Sequence, residues 1–278
     1  MSHTNSQNIA IIGLGVVGGA TYADMIESLK TKVDSNCKIF GVDVKENILN
    51  ELYRNYSGNK FFGGLSKNIP SKMDVYIVSV YNPEQIEEVF KQIPKEHSPL
   101  IIVESTVPPK LSETLLKLKG KSMLALFPHR FNQNDADHRV FNLNRILGGS
   151  DKKSEEAALK FYTQFMNNEL ITKVPYFIAA LSKPAENAYR FIEIAIAEDW
   201  KTECDRLGVD FEDLRKAMNT KWNIELKEAR DGIGGTCLPK DIAFMNNFFS
   251  NSHMINAALE SDEFYKKTMI EVNLHKKI

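Results

Sequence analysis

Cys237 stands just after a glycine-rich run, in Gly232-Ile-Gly-Gly-Thr-Cys237-Leu-Pro-Lys240-Asp241. Glycines there let a substrate approach the sulfur closely. A helix beginning near Pro239 would put Cys237 at a helix N-terminus, and such a position, like a neighbouring lysine such as Lys240, favours a thiolate. Asp241, four residues on, can act as a base toward water. A lone cysteine is more often an inert buried thiol, so the catalytic reading rests on its neighbours. The first is Lys183-Pro-Ala-Glu186-Asn187-Ala-Tyr-Arg190. On a helix, positions 183, 187 and 190 share a face. That face carries an ammonium, an amide and a guanidinium, donors suited to a developing oxyanion. The same spacing also suits an ordinary solvated helix face.

Gly13-Leu-Gly15-Val16-Val17-Gly18 follows an apolar run and opens a helical pattern. Glycines at these three places allow a tight turn, close approach of backbone to a pyrophosphate, and close helix–strand packing. The helix N-terminus offers free N–H groups to phosphates. Asp43 ends the second apolar run, where it can accept hydrogen bonds from ribose hydroxyls and repel a 2′-phosphate, which favours NAD over NADP. Lys45 nearby weakens that preference. Glu104-Ser-Thr106-Val-Pro-Pro109 and Phe127-Pro-His129-Arg130 close two later apolar runs. Ligands of open α/β sheets bind at the carboxyl ends of strands, so Thr106 and His129 are candidates by position. A partly buried histidine bonded to backbone fits His129 equally well.

The elements that must position these groups follow from periodicity. Short apolar runs begin at Ile9, Lys38, Asp74, Leu100, Met123, Arg145 and Glu169, and residues 16–30 and 83–92 are candidate crossover helices. That alternation predicts α/β organisation, a Rossmann-type doubly wound parallel sheet. Beyond Val174 the pattern becomes helical. One helix is expected over 177–207 with Pro184 as its flaw, ending at Gly208, and others over 210–219 and 261–278. The predicted organisation is a Rossmann domain at 1–174 and an all-helical domain at 175–278. Residues 1–8 read as a loose polar tail without a signal core.

The chain has 278 residues, 43% of them hydrophobic, with 35 basic and 36 acidic side chains and a net charge of -1. That balance gives no nucleic-acid footprint, and no apolar run reaches a membrane span. Three widely spaced cysteines, Cys37, Cys204 and Cys237, imply neither a disulfide framework nor a metal site. A reducing cytoplasm is the simplest setting.

Together the glycine loop, the Glu-Ser-Thr-Val-Pro-Pro run, Lys-x-x-Glu-Asn-x-x-Arg at 183–190 and Gly-Gly-x-Cys-x-x-Lys-Asp at 234–241 resemble the UDP-glucose/GDP-mannose dehydrogenase family. The resemblance implies an NAD-dependent dehydrogenase of polysaccharide biosynthesis. It would oxidise the C6 hydroxyl of a nucleotide sugar twice, to a carboxylate, through a thiohemiacetal and a thioester on Cys237. By the same resemblance, Lys183 and Asn187 stabilise oxyanions and Asp241 and Thr106 manage water and protons. Gly13, Gly15, Val16, Val17, Gly18, Asp43 and Lys240 meet the cofactor, and the long helix forms a homodimer.

Two departures stand out. His129 occupies the place of a family glutamate that helps activate water. The chain also stops short of the family's third domain, which holds the nucleotide half of the substrate. Two other readings compete. One is a 6-phosphogluconate or 3-hydroxyacid type of dehydrogenase, which uses a lysine and an asparagine but no cysteine nucleophile. The other is a non-catalytic NAD-binding subunit.

Overall fold

A computed structural model describes residues 7–31, 36–132, 134–135 and 137–275. The expected N-terminal tail at 1–8 and the end of the last helix at 276–278 therefore fall largely outside the described residues. The chain divides into two compact units, Met1–Lys183 and Pro184–Ile278.

The first unit is built on eight strands: β1 (Asn8–Ile12), β2 (Lys38–Val42), β3 (Phe62–Ser66), β4 (Val75–Val78), β5 (Leu100–Val103), β6 (Met123–Leu126), β7 (Arg145–Gly149) and β8 (Ile171–Lys173). Their order in the sheet is β3-β2-β1-β4-β5-β6-β7-β8. Every residue of β4 and β5 is buried. Continuous apolar runs of that kind belong to parallel strands covered on both faces. In β1 the alternation is visible: Ile9 and Ile11 join one apolar cluster, Ala10 and Ile12 the other. The first cluster takes in α1 (Val16–Lys30), α2 (Glu46–Tyr56) and α5 (Lys152–Tyr162). The second takes in α3 (Pro83–Gln92) and α4 (Pro109–Leu118). Order and layers make this the Rossmann-type sheet that the alternating runs predict. α1 and α3 match the two expected crossover helices. Asn82 and Gln85 form a capping box on α3 with Pro83 in its first turn, which explains its sharp start.

Two details differ from the sequence expectation. β7 runs antiparallel to β6. The described residues of the connection between them form no helix, and antiparallel neighbours need no crossover helix. β3 is an additional edge strand, Phe-Gly-Gly-Leu-Ser, with every residue only half-buried. Its two glycines hide it from a search for apolar runs, and the Phe40 ring fills the space beside Gly63.

The second unit is helical. It contains the larger part of α6 (Tyr176–Leu207), then α7 (Phe211–Met218), α8 (Cys237–Phe248) and α9 (His253–His275). α6 runs through Pro184 without ending, and Gly208 leaves it at φ +69°. Asp210 caps α7 by accepting the Asp213 N–H at 2.9 Å. Ala197, Cys204, Phe211 and Leu226 form a small core beneath α7. No helix among the described residues is long and apolar enough to cross a membrane.

Candidate active site

The cofactor loop sits where strand order reverses, between β1 and β4. Gly13 has φ +86°, and a Cβ there would lie 2.6 Å from the Ser79 carbonyl oxygen. A Cβ on Gly18 would lie 1.8 Å from the Gly13 carbonyl oxygen. Both positions therefore admit only glycine. A Cβ on Gly15, by contrast, would meet nothing within 4 Å, so this glycine borders open space. Gly15 starts α1 without a side-chain cap, which leaves the N–H groups of Val16, Val17 and Gly18 to a ligand. Asp43 Oδ2 accepts the Leu14 N–H and Oδ1 accepts the Lys45 N–H, both at 2.8 Å. These bonds lock the carboxylate against the glycine loop. Open space at the second glycine, uncapped amides and a fixed carboxylate at the end of β2 fit a dinucleotide.

Beneath that loop lies a buried polar network that no local pattern in the chain announces. Glu104, 1% exposed, follows β5. Its Oε1 accepts from Arg145 Nη2 at 3.0 Å and the Tyr162 hydroxyl at 2.9 Å. Its Oε2 accepts from the Thr21 hydroxyl at 2.9 Å and the Ser79 hydroxyl at 3.1 Å. Burial alone would raise the Glu104 pKa, but Arg145, His129 and the hydroxyl donors hold it below the usual carboxylate range. Arg145 is fully buried, stacked 3.8 Å over the Phe127 ring and bonded to the Phe127 carbonyl oxygen. The carboxylate thus ties the cofactor helix α1, the end of β4, α5 and β7 to one point. Glu104 opens the Glu-Ser-Thr-Val-Pro-Pro run. Its partners Thr21, Ser79, Arg145 and Tyr162 are 25 or more residues away in sequence and form no local pattern.

Thr106 is half-buried in the loop between β5 and α4. His129 is 6% exposed; its Nδ1 accepts the Phe131 N–H at 2.9 Å. That bond places the proton of the neutral ring on Nε2, which is buried and has no partner among the described residues. Burial first, then the charge of Arg145, pushes the His129 pKa down to about 3; Lys183 pushes in the same direction. An imidazole this hard to protonate is a weak base at neutral pH and a better N–H donor. Its folded pKa lies below the unfolded value, so the neutral ring favours folding at high pH and that advantage is lost as pH falls below 6.5. His129→Asn is expected to flatten the decline between pH 6.5 and 4.5 by about 3 kcal/mol. Urea unfolding of both proteins across that range checks it; parallel curves would refute it.

In the second unit Cys237 is the first residue of α8 and is exposed, while Cys37 and Cys204 are buried. Asp241, one turn further on, is 1% exposed. Its Oδ2 accepts from Asn187 Nδ2 at 2.6 Å. The bond joins α8 to α6 and so brings together two of the residues singled out from sequence. Lys240 Nζ lies 3.8 Å from Asp241 Oδ1 and 5.8 Å from the centre of the Phe244 ring. Lys183 lies one helical turn before Asn187 on α6. Thus Thr106, His129, Lys183 and the glycine loop belong to the first unit, and Asn187, Cys237, Lys240 and Asp241 to the second. Among the described residues no group of three His, Cys, Asp or Glu could hold a metal ion.

Comparison with known proteins identifies the family. A UDP-N-acetyl-D-mannosamine dehydrogenase of Methanococcus maripaludis is 27% identical over 286 residues, covering 92% of this chain. A UDP-glucose 6-dehydrogenase of Rickettsia felis is 28% identical over 79% of the chain and 51% of its own length. The chain spans 65% of the length of the Methanococcus protein. In fold, the UDP-N-acetyl-mannosamine dehydrogenase of Staphylococcus aureus superposes with a TM-score of 0.80 at 21% identity, covering 96% of this chain and 71% of that one. A 3-hydroxyisobutyrate dehydrogenase of Mycobacterium tuberculosis shares the fold at 12% identity and a TM-score of 0.71, covering 95% and 94% of the two chains. Residues 7–166 match the NAD binding domain of the UDP-glucose/GDP-mannose dehydrogenase family, which gives NAD as the cofactor. Residues 178–263 match that family's central domain. This chain belongs to the UDP-glucose/GDP-mannose dehydrogenase family.

Proposed function

We propose that this protein oxidises the C6 hydroxyl of a nucleotide sugar to a carboxylate, with an NAD-binding part at 1–174 and a catalytic part at 175–278. The observation that carries the reading is the exposed Cys237 at the start of α8 with Asp241 one turn on, hydrogen-bonded to Asn187. NAD⁺, when bound, accepts a hydride from carbon in each of two oxidations. The backbone of Gly13, Gly15, Val16, Val17 and Gly18 receives its pyrophosphate and Asp43 its ribose hydroxyls. Lys240, on the nucleophile helix, completes the cofactor contacts.

The remaining chemistry belongs to side chains. The Cys237 sulfur adds to the aldehyde carbon of the first product and gives a thiohemiacetal. Loss of hydride from that carbon leaves a thioester, and water then releases the acid and restores the thiol. Lys183 and Asn187 donate to the oxygen that becomes negative at each addition. Asp241 takes the proton of the attacking water, and Thr106 passes protons at the alcohol. His129, neutral, donates from Nε2 rather than serving as the base. The experiment is NADH absorbance with a panel of UDP- and GDP-sugars, in which two NADH per sugar are expected. Flat traces despite NAD binding would point to a non-catalytic subunit.

The proposed partner, besides the nucleotide sugar, is a second copy of the chain. Tyr189, Ile196, Trp200 and Leu207 are 63%, 37%, 41% and 63% exposed. Their spacing confines them to about 40° of helix arc. An apolar stripe of this length on a long helix suits pairing with its own copy. Light scattering should give twice the chain mass, and Trp200→Glu should halve it. A wild-type monomer would refute the pairing.

A further inference from the structure

The loop that carries Cys237 is gripped from α9. Ile233 is 1% exposed, and its N–H donates to Asp262 Oδ1 at 2.7 Å. Its carbonyl oxygen accepts from Lys266 Nζ at 2.9 Å. Lys266 also donates to Asp262 Oδ2 at 2.6 Å, one turn along α9. Both backbone polar groups of one residue are thus held by a single i,i+4 ion pair. Gly232 makes this possible. It has φ +84°, and a Cβ there would fall 2.5 Å from Lys266 Cγ and 2.6 Å from Cε. The lysine stem occupies the space that any other residue would need.

The clamp has a floor. Glu198 of α6 is fully buried beside Asp262. Burial, then the neighbouring Asp262 carboxylate, push its pKa up to about 7, and neither of its oxygens has a hydrogen-bond partner among the described residues. Lys266 and the Arg230 backbone oppose the shift. Tyr265 is also buried on α9, and burial first, then the charges of Glu198, Asp231 and Asp205, raise its pKa. After Ile233 the chain has Gly234, Gly235 at φ +75° and Thr236, all exposed, before the sulfur. Thr236 makes no side-chain cap on α8. Ile233 is therefore the last firmly held residue before Cys237.

We propose that Asp262 and Lys266 are positioning residues for Cys237, fixing Ile233 and thereby the direction in which the thiol leaves α8. The catalytic meaning of the clamp rests on Cys237 being the nucleophile; its geometry does not.

Lys266→Met keeps the stem against Gly232 and removes both hydrogen bonds. Asp262→Asn keeps the shape and removes the charge. In each full-length variant, amide exchange at residues 231–236 is expected to accelerate about 10- to 100-fold, with α7 and α8 unchanged. With the sugar nucleotide found active in the panel, kcat is expected to fall about 10- to 100-fold while KM moves less than about twofold. Unchanged loop exchange in both variants overturns the clamp. So does acceleration spread evenly over all the helices, which is the mark of lost packing. Faster loop exchange together with full turnover in Cys237→Ser would preserve the clamp and sink the nucleophile reading, so the two failures are distinguishable.

Discussion

Replacing Cys237 by serine is expected to lower carboxylate formation by about 10³-fold or more, while NAD binding stays intact. A serine hydroxyl is a far weaker nucleophile than a thiolate near neutral pH, so capture of the aldehyde carbon fails first. Any ester that did form would also resist water more than a thioester. The glycine loop and Asp43 lie far from residue 237 in sequence and belong to the other compact unit, so cofactor affinity has no reason to change. Coupled NADH absorbance and product chromatography would show at most one NADH per sugar and no acid. Near-normal turnover in Cys237→Ser would instead favour a mechanism in which Lys183 and Asn187 suffice.

The second large effect is on stability. Glu104→Leu removes four hydrogen bonds and leaves the fully buried Arg145 without its carboxylate. Breaking a buried pair from one side costs about 3–5 kcal/mol. The double variant Glu104→Leu with Arg145→Met should recover part of that, because two apolar groups replace an orphaned charge. Urea unfolding of the wild type, both single variants and the double measures the coupling. Additive losses would mean that Glu104 and Arg145 do not act as a unit. Since Thr21 and Ser79 flank the glycine loop, weaker NAD binding should accompany the loss in Glu104→Leu.

How much of this was readable from the chain depends on the range of each interaction. β4 and β5 announce themselves because four consecutive apolar residues suit a strand buried on both faces. α1 and α6 announce themselves through the glycine turn and a long helical period. β3 does not, since two of its five residues are glycine and it lies at the sheet edge. The candidate site divides in the same way. Asp43, Asn187, Cys237 and Asp241 sit in motifs whose spacing carries their chemistry. The Asn187–Asp241 bond spans 54 positions and the Glu104–Thr21 bond 83, and no local pattern encodes either. His129 illustrates a different limit: its position could be read, but its low basicity comes from burial and from Arg145, which only tertiary structure supplies. The Asp262–Lys266 pair looks in sequence like any i,i+4 surface pair, and only the buried Ile233 above it gives it a task.

The most direct test of the covalent mechanism is the mass of the Cys237 peptide after an acid quench, in the wild type and in Asp241→Asn, which should slow hydrolysis. The expected adduct equals the sugar nucleotide less four hydrogen atoms, as an acyl group on sulfur, and it should accumulate in Asp241→Asn. NADH formation with an unmodified Cys237 peptide in both proteins would contradict the account.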